Sequence, residues 1–223
     1  MNDHNSLIEH LSGFVTAERL ATFKTVLSQR TRHLTVVLED IYQSHNASAV
    51  LRSCDGFGVQ DVYTIENRNE FNASNEVSIG AHQWLSIQRF RQQEQNTQAC
   101  IQSLRSKGYR IIATTPHEQD VEIHELDITQ PTALVFGTEL EGITPDMEKL
   151  ADGFVKIPMY GFSESFNISV SAALCLYETT LRLRRSDIPW QLSDQEKEEL
   201  LFEWLKKTIK ASDRIIERYR SEH

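Results

Sequence analysis

"FVKIPMYGFSESFNISVSAALCLYE", residues 154–178, runs from a strand-like opening through a polar loop into a helix of small and apolar residues. At the join stand Ser165, Phe166 and Asn167, followed by Ser169, Ser171, Ala172 and Ala173. A helix start has backbone N–H groups without intrahelical partners and the positive end of the dipole, so it suits a ligand. It also suits a plain Ser or Asn cap. What precedes the stretch decides between these.

Working outward, "TALVFG", "YRIIATT", "LSIQRF", "DVYTIE" and "LTVVLE" are short runs of strand type. Between them, "NASAVLRSCDGFGV" sets Ala47, Val50, Leu51, Cys54 and Phe57 on one helical face, and residues 95–107 read as a helix that stops at Gly108. Strands alternating with helices predict an α/β domain with a parallel sheet over 33–185. Before it, Leu20, Phe23, Val26 and Leu27 give an amphipathic helix within a 1–32 extension. After it, Ser193 and Glu196 form a capping box opening one long helix to about Arg220 in a 186–223 extension. "NRNEFNASNEVSIGAH" is aperiodic and reads as a loop.

The chain has 223 residues, 39% hydrophobic and 25% charged, with mean hydropathy −0.42. That is ordinary for a globular protein. No apolar run approaches the roughly 20 residues of a membrane span, and the N-terminus lacks the form of a signal peptide. Cys54, Cys100 and Cys175 are scattered and odd in number, which predicts reduced thiols in a cytoplasm and no zinc or other metal site. The net charge of −9 leaves nucleic acid undecided, because phosphate contacts need only a local basic face. Arg30, Arg32, Arg182, Arg184, Arg185, Lys206 and Lys210 are the candidates for such a face.

Parallel sheets bind ligands at the carboxyl ends of their strands. Three polar clusters fall there: Asn46 and Arg52 after "LTVVLE", Gly137, Glu139 and Gly142 after "TALVF", and the opening stretch after "FVKIP". Singly, each has a dull explanation as a cap, a surface arginine or a glycine turn.

In this order they resemble the three motifs of the SPOUT superfamily of RNA methyltransferases, and in particular its branch acting on ribose 2′-hydroxyls. Asn46 with Arg52, "GTELEG" and "IPMYGFSESFNIS" match the patterns, with Phe166 where the family has Leu and Ile168 where it has Val. The terminal extensions fit the TrmH family of tRNA guanosine-18 enzymes. The resemblance implies a C-terminal deep trefoil knot, a homodimer through the last helix of the domain, and tRNA as substrate. It implies S-adenosylmethionine as methyl donor, in a pocket formed by Thr114, Gly137, Gly142, Ile157 and Phe166. Glycines 137, 142 and 161 would allow close backbone approach. No GxGxxG is present, which counts against a Rossmann-type methyltransferase.

By the same resemblance the catalytic set is Arg52, Asn46, Glu139, Ser165 and Asn167. A guanidinium resists deprotonation, so Arg52 is expected to bind phosphate and stabilise a developing alkoxide. Asn46, Ser165 and Asn167 would orient Arg52, the ribose or the knot backbone, and Glu139 would brace the loops or, less favoured, act as base. His45, beside Asn46, is expected to point elsewhere. Two alternatives stay open: methylation of another RNA site, in ribosomal RNA or at the tRNA wobble position, and an inactive RNA-binding protein.

Overall fold

Six consecutive buried residues, Leu34–Glu39, form the central strand β1, and their two-sided burial explains the lack of polar alternation. The computed structural model describes residues 3–71, 80–92, 94–115 and 120–222. Beyond β1 the strands are β2 (Asp61–Ile65), β3 (Ser86–Phe90), β4 (Arg110–Thr114), β5 (Val121–Glu122), β6 (Thr132–Phe136) and β7 (Gly153–Lys156). All pair in parallel, in the order β3-β2-β1-β6-β4-β7-β5.

The helices are α1 (Asp3–Ser12), α2 (Ala17–Leu27), α3 (Ser44–Phe57), α4 (Asn96–Ser106), α5 (Pro145–Leu150), α6 (Ile168–Arg184), α7 (Asp194–Thr208) and α8 (Ser212–Glu222). On one face of the sheet Val36, Leu38, Ile112 and Leu134 pack with Val50 and Leu51 of α3 and Ala172, Cys175 and Leu176 of α6. On the other, Val37, Ile111, Ala113 and Val135 pack with Cys100, Ile101 and Leu104 of α4 and Met147 of α5. Alternate residues of one strand thus go to opposite cores, as a period of two requires. The three cysteines are buried and in no disulfide, and burial pushes the thiols of Cys100 and Cys175 up to about 12. Among the described residues, no helix is long and apolar enough to cross a membrane.

The chain divides into two compact units, 31–190 and a second made of 1–30 with 191–223. In the second, α1 packs on α7 and α8 and α2 on α7, with the Phe23 ring edge-on to Trp204 at 5.6 Å. The capping box at Ser193 and Glu196 is present. The single long helix expected after it is in fact two: α7 ends at Thr208, and Ala211 takes φ +60 before α8 begins. The apolar spacing runs on through Ile209 and Ile216, so periodicity conceals the break. Helices α1 and α5 and strand β5 add to the elements read from sequence. Residues 72–79 of the expected loop lie outside the described residues.

Candidate active site

Strands β1, β6 and β7 end side by side with β4, and the loops leaving them carry the site. The Asn46 amide is fully engaged at the start of α3. Its Nδ2 donates to Gln43 Oε1 at 2.8 Å and to Glu139 Oε1 at 3.0 Å, while its Oδ1 accepts from Asn167 Nδ2 at 3.2 Å. Asn167 Nδ2 also donates to Glu139 Oε1. Two amides therefore grip one carboxylate oxygen, and Glu139 Oε2 accepts from no group among the described residues. Asn167 is at the same time the N-cap of α6, its Oδ1 accepting from the Ser169 backbone N–H at 2.9 Å and from Ser169 Oγ at 2.6 Å. The opening stretch thus supplies both a cap and a member of a polar cluster. Gln43 had no signal in the sequence beyond its position three residues before Asn46.

Glu139 rides on a turn that only glycine permits. A Cβ on Gly137 would lie 2.1 Å from the Gly142 carbonyl oxygen, and Gly142 takes φ +70. The turn closes through Thr138 N–H to Gly142 O at 2.8 Å and Gly142 N–H to Thr138 O at 3.0 Å. Gly161 is different: nothing lies within 4 Å of a Cβ built there, so crowding does not explain it.

Arg52 and Ser165 are not brought to this cluster. Residues six apart on an α-helix sit about 120° from each other around the axis, so Arg52 leaves α3 on another side from Asn46. It is exposed, with no hydrogen bond or ion pair among the described residues, and lines an open groove of about 590 Å³ with His45, Ala49, Ser53, Gly56 and Phe57. His45 lines this groove with Arg52 and not the Asn46 cluster, so it does point elsewhere than Asn46, as expected, and the face it takes is the one Arg52 uses. Residues 45, 49, 52 and 56 follow helical spacing, and that was the available signal. Ser165 is exposed on the loop.

The expected cofactor residues stand at the strand ends. Thr114 closes β4, its hydroxyl donating to the Val135 carbonyl at 2.9 Å. Ile157 follows β7 and packs on the core, and Phe166 is 39% exposed. Nearby in sequence, Leu140 and Phe162 stand fully in solvent. Apolar side chains on loops with open backbone, one a turn that glycine alone can close, fit an adenosyl group. It needs flat apolar contact and backbone hydrogen bonds, not a countercharge.

The basic candidates divide. Arg30 is 1% exposed with its guanidinium 5.5 Å from the Trp204 ring centre, so its assignment to a phosphate-binding face is corrected: it is a core residue of the helical unit. Arg32 pairs with Asp61 at 3.1 Å. Arg182 donates to the Ile123 and Leu126 carbonyls, and Arg184 to the Phe57 carbonyl while lying 4.5 Å from the Trp190 ring centre. Lys206 lies 3.8 Å from Asp213. Arg185 and Lys210 are exposed and make no ion pair among the described residues.

A family model for the SpoU rRNA Methylase family matches residues 33–177. The chain belongs to this family. Its fold is accordingly the SPOUT fold with its C-terminal trefoil knot. A tRNA (guanosine(18)-2′-O)-methyltransferase of Borreliella burgdorferi is 40% identical over 200 residues, covering 90% of each chain. One of the same name from Thermus thermophilus is 34% identical, covering 86% of this chain and 98% of its own. The crystal structure of the TrmH/SpoU tRNA modifying enzyme of Aquifex aeolicus superposes with a TM-score of 0.76 at 31% identity, covering 86% of this chain and 98% of the other.

Proposed function

We propose that this protein is an S-adenosylmethionine-dependent tRNA methyltransferase acting on the ribose 2′-hydroxyl of guanosine 18, as a homodimer in the cytoplasm. One observation carries the reading. Relatives that are 34 to 40% identical bear that name, and the similarity spans 86 to 90% of this chain.

Thr114, the 137–142 turn, Ile157 and Phe166 would hold the cofactor, which when bound supplies an electrophilic methyl group. A ribose hydroxyl is a weak acid, so the protein must align it and help it shed its proton. Glu139 Oε2 is the open acceptor, and Asn46 and Asn167 fix the carboxylate that carries it. Arg52 brings a permanent positive charge for phosphate and for charge developing on the hydroxyl oxygen.

Within one chain Arg52 stays apart from the three linked residues, and a second copy supplies the remedy. Val170, Leu174 and Tyr177 make an exposed apolar stripe on α6, and Tyr177 stacks edge-on to Phe57 beside the Arg52 groove. A two-fold dimer across this stripe buries the apolar surface and lets Arg52 of one copy serve Asn46, Glu139 and Asn167 of the other.

The test is methyl transfer from labelled S-adenosylmethionine to unmodified tRNA transcripts, with the modified nucleotide mapped. Label on the ribose of guanosine 18, lost with Arg52→Ala, is the expected result. Label on another ribose, or on none, refutes the substrate assignment. Mixing Arg52→Ala with Asn167→Ala protein tests the shared site, since partial recovery of activity is expected only if two chains contribute.

A further inference from the structure

Glu39 is the last residue of β1, 1% exposed, and no part of the mechanism above uses it. Three neutral donors converge on its carboxylate. Oε2 accepts the Thr144 backbone N–H at 2.9 Å, and Oε1 accepts the Thr144 hydroxyl at 2.8 Å and the Thr97 hydroxyl at 3.1 Å. There is no countercharge among these partners. Burial, with Asp40 adding to it, pushes this carboxyl above the usual range against the pull of those bonds. A buried carboxylate held only by neutral donors is an expensive way to fill space.

What it holds explains the choice. Thr144 comes two residues after Gly142 and caps α5, its Oγ1 accepting the Met147 N–H at 3.2 Å. At the other end of the turn, Phe136 pairs with Leu38 in the sheet. Both ends of the 137–143 segment, and so the position of Glu139 on it, are thereby fixed to consecutive residues of β1. The next residue adds a longer tie. Asp40, at φ +53, accepts the backbone N–H groups of Asn67 and Arg68 at 2.7 and 2.8 Å, and Arg68 reaches Glu141 at 2.7 Å.

We propose that Glu39 is a positioning residue for methyl transfer, setting the 137–144 turn that carries Glu139 and the expected cofactor glycines. The proposal rests on the methyltransferase reading. Its consequence is selective: bonds from Glu39 toward Thr144 matter to the site, whereas the bond toward Thr97 matters only to the fold.

The experiment measures the affinity of the full-length protein for S-adenosylhomocysteine by calorimetry, beside melting temperature and steady-state methyl transfer. Glu39→Gln places an amide N–H₂ where an acceptor was. Thr144→Val removes the hydroxyl at the turn, Thr144→Ser restores it, and Thr97→Val removes the hydroxyl on the α4 side that donates to Glu39 and accepts from Asn67 Nδ2. Glu39→Gln and Thr144→Val are expected to weaken S-adenosylhomocysteine about tenfold or more and to lower kcat/KM, the loss of about one bond to a charged group. Thr144→Ser and Thr97→Val are expected to stay within about twofold of wild type in affinity, even where Thr97→Val lowers the melting temperature as much as Thr144→Val.

Affinity falling in proportion to melting temperature across all four variants overturns the proposal, as does wild-type affinity in Thr144→Val. Should Glu39→Gln fail to fold, the threonine variants decide alone. Wild-type protein that binds S-adenosylhomocysteine yet leaves tRNA unlabelled sinks the substrate assignment and leaves the Glu39 comparison intact.

Discussion

Asn167 has two separable jobs, and exchanging it for aspartate pulls them apart. Its Oδ1 caps α6 and its Nδ2 grips Glu139 and Asn46. Asp caps a helix about as well as Asn, so Asn167→Asp keeps the first job. It loses the second, because a carboxylate has no hydrogen to donate, and it brings a second negative charge against Glu139. A hydrogen bond to a charged group is worth roughly 1.5–3 kcal/mol. Two charges about 4 Å apart repel by about 1 kcal/mol in full solvent and about 4 near a protein surface. Glu139 is exposed, so the lower figure applies, and the total is about 2.5–4 kcal/mol of displaced geometry. At 1.36 kcal/mol per factor of ten, kcat/KM should fall roughly 10²–10³-fold.

Asn167→Ala gives the contrast, losing the cap as well at a cost of about 1 kcal/mol of stability. Guanidinium chloride titrations and single-turnover methyl transfer on tRNA transcripts measure the two effects. An Asn167→Asp enzyme with wild-type kcat/KM would refute the reasoning. So would one whose activity loss is matched by loss of fold.

Arg52→Ala should lower kcat/KM by at least about 10²-fold while shifting stability by less than about 0.5 kcal/mol, since the side chain is exposed and unpaired among the described residues; Arg52→Lys, lacking the planar fork, should rescue little. Arg30→Ala should cost roughly 2 kcal/mol in denaturant without altering the salt dependence of tRNA binding, whereas Arg185→Ala should lower that slope by about 1 and leave stability unchanged. For Glu39 the folded carboxyl lies above its unfolded value, so its contribution to stability is present below the unfolded value and lost as pH rises through the folded one. The stability of wild type relative to Glu39→Gln should therefore decline as pH rises above the ordinary carboxylate value of 4.5 in paired urea titrations, and a flat or rising difference contradicts the burial argument.

The centre of the sheet was legible because β1 and β6 are buried along their whole length and so appear as largely apolar runs. Short elements gave too little periodicity: β5 has two residues and α5 six. Arg30 looked like surface because the ring that covers it, Trp204, comes from the far end of the chain. In the site, motif order located Asn46, Glu139 and Asn167, but grouped Arg52 with Asn46 although their six-residue spacing on a helix already sets them on different sides. Glu39 did carry a signal, an ionisable residue ending a run of buried-strand type, whose meaning depended on Thr144, 105 residues away.

The bond between Asn46 and Asn167 spans 121 residues, and that between Asn46 and Glu139 spans 93. No fragment that ends before residue 167 contains this cluster, since its last member is Asn167, the N-cap of α6. Contacts so distant in sequence carry a large loop-closure cost and slow folding. A chain that ends before residue 167 therefore lacks the amide that both grips Glu139 and caps α6, so the assembled cluster reports that synthesis has passed this point.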